Sequence, residues 1–222
     1  PTLEPLLARR RPASTPNPAA GPVETDCSTP RRGGGVNWFL MPDPTPASPS
    51  TLPLSREASG PFAGIVTVTL DQPGKPVVVL DEALIRALDA TLKSVPKDAR
   101  GLVLASSSER VFVAGADLKT IQDATDSDLH RYLAYASGVF AQLANFPFPT
   151  AAAINGAALG GGLELAMHCD ALIGAPSPSG KPYPVGLPEA GLNICPGWGG
   201  TNRLPRRVGQ RHLSVMTLRR CR

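Results

Sequence analysis

Three consecutive glycines followed by a carboxylate mark the segment of the sequence best suited to chemistry. The segment 155–170 reads NGAALGGGLELAMHCD, with Gly160, Gly161 and Gly162 side by side and Glu164 just beyond them. Glycine costs roughly 1 kcal/mol relative to alanine inside a helix, so the run needs a reason. At a strand-to-helix turn, glycines let the backbone approach a ligand closely. The first N–H groups of a helix are unpaired donors at the positive end of its dipole, so this segment predicts an anion site.

The predicted anion is either a bound phosphate or an oxyanion that exists only during a reaction. The glycine patterns typical of phosphate binding, GxGxxG and GxxxxGK[ST], do not occur in the segment, and Gly180-Lys181 runs into Pro182. Glu164 would repel a phosphate, whereas a carboxylate beside a transient oxyanion suits acid–base catalysis. The segment alone leaves a second interpretation equally open. In that interpretation the glycines only permit close packing of a helix on a strand, and Glu164 complements the helix dipole.

Two further turns built from small residues occur along the chain. The first is VFVAGADLKTI at 111–121, and the second is GLPEAGLNICPGWGGTNRLP at 186–205, which carries a second carboxylate, Glu189. By itself this turn leaves two interpretations of Glu189 open, a carboxylate of a site and an ordinary carboxylate of a surface loop.

Alternating strands and helices must position these turns. Val66, Val68 and Leu70 alternate with threonines, which predicts a strand. The segment 81–95 has helical spacing of its leucines with Asp81 as N-cap. A longer helix over 126–146 would be capped by Asp126 or Ser127 and ended by two prolines. The complete set of predicted strands is 64–71, 101–107, 150–155 and 170–175, and a third helix begins in GGLELAMHC. This order predicts an α/β domain with crossover connections.

The composition divides the chain into two parts and excludes several classes of protein. Residues 1–58 are rich in Pro, Ser, Thr and Gly, which predicts a disordered leader before a domain over 59–222. No apolar run approaches the ~20 residues of a membrane span, and the first residues lack a secretory signal, so a cytoplasmic protein is expected. The cysteine and histidine spacings fit no metal site. The arginine-rich segment 203–222 has no interleaved aromatic residues, and we expect no nucleic-acid partner.

The three motifs AGADLK, NGAALGGGLELAMHCD and GLPEAGLNICPGWGGTNRL occur in the order typical of one protein family. Over roughly residues 60–215 the chain resembles the crotonase, or enoyl-CoA hydratase/isomerase, superfamily. The extended linker PSPSGKPYPV is similar to that of hydratase domains in multifunctional fatty-acid oxidation proteins. The resemblance implies a spiral of ββα turns, a homotrimer, and an acyl-CoA thioester as the substrate, with no separate cofactor.

The resemblance also implies roles for individual residues. The N–H groups of Ala116 and Gly161 would bind the thioester oxygen as it gains enolate charge. Glu164 would activate water at the β-carbon, and Glu189 would deliver a proton to the α-carbon. The further residues implied in substrate binding are Lys75, Arg110, Ala114, Asp117, Leu118, Lys119 and Gly160. Three of them, Lys75, Arg110 and Lys119, could equally be ordinary solvated charges, and Asp117 could order its turn.

Both glutamates together favour a hydratase that adds water to 2-trans-enoyl-CoA in fatty-acid β-oxidation. Two alternatives stay open: an enoyl-CoA isomerase that needs one carboxylate, and a non-catalytic acyl-CoA-binding fragment. The sequence ends at Arg222, where relatives continue with helices that cover the acyl pocket and build the trimer. We therefore expect a domain without its C-terminal helices, in which activity and trimer formation are in doubt.

Overall fold

A five-stranded sheet in the order β1-β2-β3-β5-β7 is the larger of two sheets in the computed structural model, which describes residues 50–176 and 180–208. The edge strand β1 runs antiparallel to β2, and the remaining neighbours are parallel. The strands are β1 (Leu54–Arg56), β2 (Ile65–Leu70), β3 (Gly101–Ser106), β5 (Thr150–Ile154) and β7 (Ala171–Gly174). The parallel pairs confirm the predicted α/β class, because parallel neighbours need crossover connections.

Three short parallel strands form a second sheet in the order β4-β6-β8. They are β4 (Val111–Val113), β6 (Ala157–Leu159) and β8 (Val185–Gly186). Each strand lies next to one of the three turns built from small residues. The sheet therefore brings these three turns close together. The sequence did not predict β6 and β8, because runs of two or three residues show too little alternation to be recognised.

Helices cover the larger sheet and shape the core. Along β2 every second residue is buried, and these side chains share one core with the apolar faces of two helices. The helices of the structure are α1 (Glu82–Ser94), α2 (Leu118–Asp123), α3 (Asp126–Asn145), α4 (Gly161–Ala166) and α5 (Gly200–Val208), with a 3₁₀ helix at Glu189–Leu192. Asp81 caps α1 as predicted, since its carboxylate accepts a hydrogen bond from the N–H of Leu84 at 2.8 Å. None of the helices in the described part of the chain is long and apolar enough to cross a membrane.

The start of α3 differs from the prediction. Its N-cap is Thr125, whose hydroxyl accepts a hydrogen bond from the N–H of Asp128 at 3.2 Å. Asp126 and Ser127, the predicted caps, lie in the first helical turn. The capping geometry needs an extended residue whose side chain reaches the N–H three positions on, and Thr125 has that geometry.

The predicted leader 1–58 overlaps the folded part of the chain. Leu52 is 6% exposed, and its N–H donates to the hydroxyl of Thr91. Leu54 pairs with Val68 where β1 joins the sheet. The boundary predicted at residue 58 is therefore several residues too late, because hydrogen bonds and the burial of Leu52 stabilise a segment whose composition predicts disorder. Residues 1–49 and 209–222 lie outside the described residues.

Candidate active site

A cavity of about 310 Å³ lies among the start of α4, the turn after β4 and the 3₁₀ helix. Its wall is mostly apolar, and its carboxyl side chains among the described residues are Glu164 and Glu189. The apolar side chains are contributed by α2, α3, the 3₁₀ helix and the loop before α5: Leu118, Ile121, Leu129, Leu133, Leu192, Ile194 and Trp198. A concave apolar site with a few convergent polar groups is the usual form of a small-molecule site.

Glu164 lies in α4 with its carboxylate almost fully buried, at 1% exposure. One carboxylate oxygen, Oε1, accepts hydrogen bonds from the N–H groups of Trp198 and Gly200, each at 2.8 Å. Burial raises the pKa of Glu164, and these N–H donors oppose the shift by stabilising the charged form. Two fixed donors therefore hold the carboxylate in place and favour its ionised state.

Glu189 begins the 3₁₀ helix, and its side chain is 6% exposed. Its Oε2 atom is buried without a hydrogen-bond partner in the described part of the chain. Burial raises the pKa of Glu189, and the negative charge of Glu164 raises it further. The two carboxyl groups thus differ in environment: Glu164 has donors that support its charge, whereas the free oxygen of Glu189 suits a proton carrier.

Two backbone N–H groups complete the polar part of the wall. The bridge between Leu80 and Ala116 uses the carbonyl of Gly115 and the N–H of Asp117, so the N–H of Ala116 between them faces away from that bridge. Gly161 is the first residue of α4, where the N–H has no partner within the helix. Ala116 and Gly161 both line the cavity.

Gly160, Gly161 and Gly162 are each required for a different steric reason. Gly160 has φ of +52°, a left-handed conformation that favours glycine. A Cβ on Gly161 would collide with the indole ring of Trp198, and a Cβ on Gly162 would collide with the backbone of Val113. Close packing and the orientation of an unpaired N–H therefore coexist, and the two interpretations of the motif are not exclusive.

Trp198 joins the cavity wall to its supporting core. Its ring is 4% exposed and meets Tyr132 and Phe140 edge-on, with ring centroids 5.7 and 5.3 Å apart. The indole N–H donates to the carbonyl of Leu133 at 3.2 Å. Trp198 therefore belongs both to the cavity wall and to the main core.

The structure brings together seven of the eleven predicted site residues. The cavity is lined by Ala114, Ala116, Leu118, Gly160, Gly161, Glu164 and Glu189.

The remaining four predicted site residues do not line this cavity. The Lys75 ammonium pairs with Asp81 at 2.5 Å, and the Asp117 carboxylate accepts a hydrogen bond from the N–H of Lys119, which orders the turn before α2. Arg110 and Lys119 are exposed. Their contacts with substrate stay predictions.

Sequence reasoning missed most of the apolar wall. Leu129 and Leu133 of α3 both line the cavity, and Leu133 also packs against the main core. Ile194 and Cys195 lie in a loop without periodicity. The length of the loop between Glu189 and α5 was the one feature of the sequence that could have indicated these residues, because a loop of this length must pass around the site.

No group of three or more His, Cys, Asp or Glu side chains that could hold a metal occurs in residues 50–176 and 180–208. His168 and Cys169, adjacent in sequence, are both buried near the end of α4. The His168 Nδ1 atom lies 2.9 Å from the carbonyl oxygen of Glu164, and burial lowers the pKa of His168 to about 4.

Comparison with known proteins decides the family. The profile of the enoyl-CoA hydratase/isomerase family matches residues 61–220. The chain belongs to this family. A probable mitochondrial enoyl-CoA hydratase 2 of Arabidopsis thaliana is 40% identical over 164 residues, which are 73% of this chain and 52% of that protein. The α subunit of a fatty acid oxidation complex of Shewanella halifaxensis is 39% identical over 149 residues, 66% of this chain and 21% of that subunit.

Solved structures of the family show the same fold. The crystal structure of an enoyl-CoA hydratase from Bacillus anthracis is similar with a TM-score of 0.64 and 32% identity, covering 73% of this chain and 61% of that one. The predicted crotonase-like α/β fold is therefore confirmed. The chain spans about half the length of the Arabidopsis relative and about a fifth of the Shewanella subunit.

Proposed function

We propose that this chain carries the site of an enoyl-CoA hydratase, which adds water to the double bond of a 2-trans-enoyl-CoA in fatty-acid β-oxidation. One observation carries the proposal: two buried carboxyl groups in different environments line one apolar cavity together with Ala116 and Gly161, whose backbone N–H groups are the proposed donors. Hydration needs a base for water, an acid for the α-carbon and donors for the thioester oxygen, and these groups provide all three.

In the proposed reaction, ionised Glu164 takes a proton from water as the water oxygen bonds to the β-carbon. The electrons of the double bond move toward the thioester carbonyl, whose oxygen gains enolate charge. The N–H groups of Ala116 and Gly161 stabilise that charge, and losing one such donor typically costs about 10²–10³ in rate. Glu189 then gives its proton to the α-carbon. Both carboxyl groups must lie on one side of the flat enoyl group, which gives syn addition.

An enoyl-CoA isomerase is the second candidate, and the free Oε2 of Glu189 favours it specifically. Moving a double bond requires one group that removes a proton and returns it, and Glu189 alone could do so. Glu164, held by two backbone donors, would then act only through its charge. Replacing Glu164 by Gln separates the two functions, since hydration would be lost and isomerisation retained.

The decisive experiment follows the loss of enoyl-thioester absorbance when the chain is mixed with crotonyl-CoA. We expect turnover that falls about 10²–10⁴-fold in Glu164→Gln and in Glu189→Gln. The exposed Glu57→Gln is the matched control and should retain wild-type turnover. Binding of butyryl-CoA, which has no double bond, is measured beside it. A folded chain that binds butyryl-CoA without turnover would contradict the hydratase and support an acyl-CoA-binding role.

The acyl-CoA substrate is consistent with the family, and the homotrimer implied by the resemblance stays a prediction. We expect no cofactor beyond the CoA thioester. The cytoplasmic location also stays a prediction, and the name of the Arabidopsis relative places that protein in mitochondria.

A further inference from the structure

We propose that Trp198 sets the maximum length of the acyl chain and restricts the site to short, uncharged 2-enoyl groups. The proposal rests on the acyl-CoA site described above and adds a residue that determines its specificity. Trp198 lines the cavity beside Gly161, and hydrogen bonds and ring contacts hold its side chain in place. The described part of the cavity wall has no cation that could pair with a charged acyl chain.

The indole ring of Trp198 lies against one of the two residues proposed to bind the thioester oxygen. A Cβ on Gly161 would collide with the Cζ3 and Cε3 atoms of Trp198, so the ring packs directly on the backbone of Gly161. The N–H of Gly161 is one of the two proposed donors to the thioester oxygen. A thioester bound there has the indole beside its acyl carbons, because the acyl chain begins at the carbonyl carbon.

The ring is held from three sides. Its Nε1–H donates to the carbonyl of Leu133, and its faces and edges meet Tyr132 and Phe140. Tyr132 is itself fixed by a hydrogen bond from its hydroxyl to the carbonyl of Leu80 at 3.0 Å. The backbone N–H of Trp198 binds Glu164 at 2.8 Å. A side chain tied to its neighbours in this way cannot swing aside for a longer acyl chain without breaking a buried hydrogen bond.

The charges of the wall restrict the acyl group further. The described residues that line the cavity include no Lys, Arg or His, and both ionisable carboxyl groups there are glutamates. A second carboxylate at the end of an acyl chain would enter a buried apolar space beside Glu164 and Glu189 without a cation to pair with. Burial of an unpaired charge is costly, and like charges repel.

The test measures binding of saturated acyl-CoAs by calorimetry, so that the result does not depend on turnover. Butyryl-, hexanoyl-, octanoyl- and decanoyl-CoA are titrated into the wild-type chain, Trp198→Ala and Trp198→Phe. Each buried CH₂ should tighten binding roughly fourfold until the acyl chain reaches the indole. We expect the affinity of the wild-type chain to stop increasing within this series. The affinity of Trp198→Ala should stop increasing at least two carbons later, and that of Trp198→Phe at an intermediate length.

Leu192→Ala is the control for general loss of apolar wall, because Leu192 also lines the cavity but is 49% exposed. It should weaken the binding of acyl-CoAs of every length without changing the length at which the affinity stops increasing. Identical length profiles for wild type and both Trp198 variants would overturn the proposal. So would a wild-type affinity that keeps rising through decanoyl-CoA, an outcome that remains measurable if Trp198→Ala fails to fold.

A second arm compares pentanoyl-CoA with glutaryl-CoA, which differ by a terminal carboxylate at the same chain length. We expect glutaryl-CoA to bind at least tenfold more weakly, and equal binding would overturn the charge selection. If the affinity stops increasing with acyl length but no hydration occurs, this proposal is retained and the hydratase function is contradicted. If hydration occurs but the affinity does not stop increasing, the hydratase function is retained and this proposal is contradicted.

Discussion

At the scale of single residues, the site holds a buried carboxyl oxygen that the fold does not satisfy. Oε2 of Glu189 has no hydrogen-bond partner among the described residues, and the neighbouring Glu164 adds repulsion. A buried unsatisfied polar group costs about 1–3 kcal/mol, and more when it carries charge. Such a cost agrees with the proton-transfer role proposed for Glu189, because functional positions often reduce stability.

Replacing Glu189 by Gln should therefore stabilise the chain at neutral pH by about 1 kcal/mol. The pKa of Glu189 is raised in the folded state, so the folded protein holds this proton more tightly than the unfolded chain. Wild-type stability then decreases as the pH rises from the unfolded pKa of about 4.3 through the folded value. The advantage of the variant should be present at pH 7 and disappear near pH 4. Urea unfolding at both pH values measures it.

The control for this prediction is Glu57→Gln, at an exposed position, which should change the free energy of unfolding little at either pH. An advantage of Glu189→Gln that persists unchanged at pH 4 would show that the gain comes from packing and not from ionisation.

The sequence predicted that Glu164 and Glu189 belong to one site, but not how the environments of the two carboxyl groups differ. The motifs pointed to Glu164 and Glu189, and both line the cavity. The donors that distinguish the two carboxyl groups, the N–H groups of Trp198 and Gly200, lie more than thirty residues from Glu164 in the chain. Contacts between backbone groups at that separation leave no local pattern, because any residue type except proline can supply an N–H.

At the scale of elements, the contact of α4 with β4 depends on the absence of a side chain at one position. A Cβ on Gly162 would collide with the carbonyl oxygen and side chain of Val113. Short elements such as these are recognised poorly from sequence, whereas α1, β2, β3, β5 and β7 have enough residues for a clear period. The three-residue strand β6 is defined by its pairing with β4 and β8 and has no recognisable sequence pattern.

We expect Gly162→Ala to reduce the free energy of unfolding by about 1–3 kcal/mol, since the added methyl group forces α4 away from β4. Gly138→Ala is the matched control, because Gly138 lies within α3 and an added Cβ there meets no atom within 4 Å. That change should raise stability by about 0.5–1 kcal/mol through the better helix propensity of alanine. Denaturant unfolding of both variants tests the pair, and a loss in both would point to helix geometry rather than to the contact with Val113.

At the scale of the whole molecule, α5 connects the stability of the fold to the proposed chemistry. The small apolar cluster of Leu163, Met167, Leu187 and Leu204 packs α5 against α4. The first residue of α5, Gly200, donates its N–H to Glu164. The guanidinium group of Arg207 donates to carbonyls at the end of α4, including that of Met167 at 3.0 Å. One helix therefore fixes both the packing at this end of the domain and the carboxylate that would activate water.

Two core substitutions of equal chemistry should separate stability from catalysis. Leu204 lies on the buried face of α5 at 3% exposure, and Leu52 is 6% exposed in the main core beside α1. Each change to Ala should cost about 2–5 kcal/mol of unfolding free energy. Leu204→Ala loosens the helix that supplies a donor to Glu164, so kcat/KM for crotonyl-CoA should fall roughly tenfold, less than the ~10²-fold that a 1 Å misplacement can cost.

Leu52→Ala should keep kcat/KM within about twofold of wild type, because Leu52 packs in the main core and does not line the cavity. Both rates are measured well below the temperature at which either variant unfolds, so that loss of folded protein does not mimic loss of catalysis. Equal rate losses in the two variants would mean that the site responds to stability in general. A loss confined to Leu204→Ala would show that packing under α5 controls the orientation of Glu164, since the two variants differ in which end of the domain they weaken.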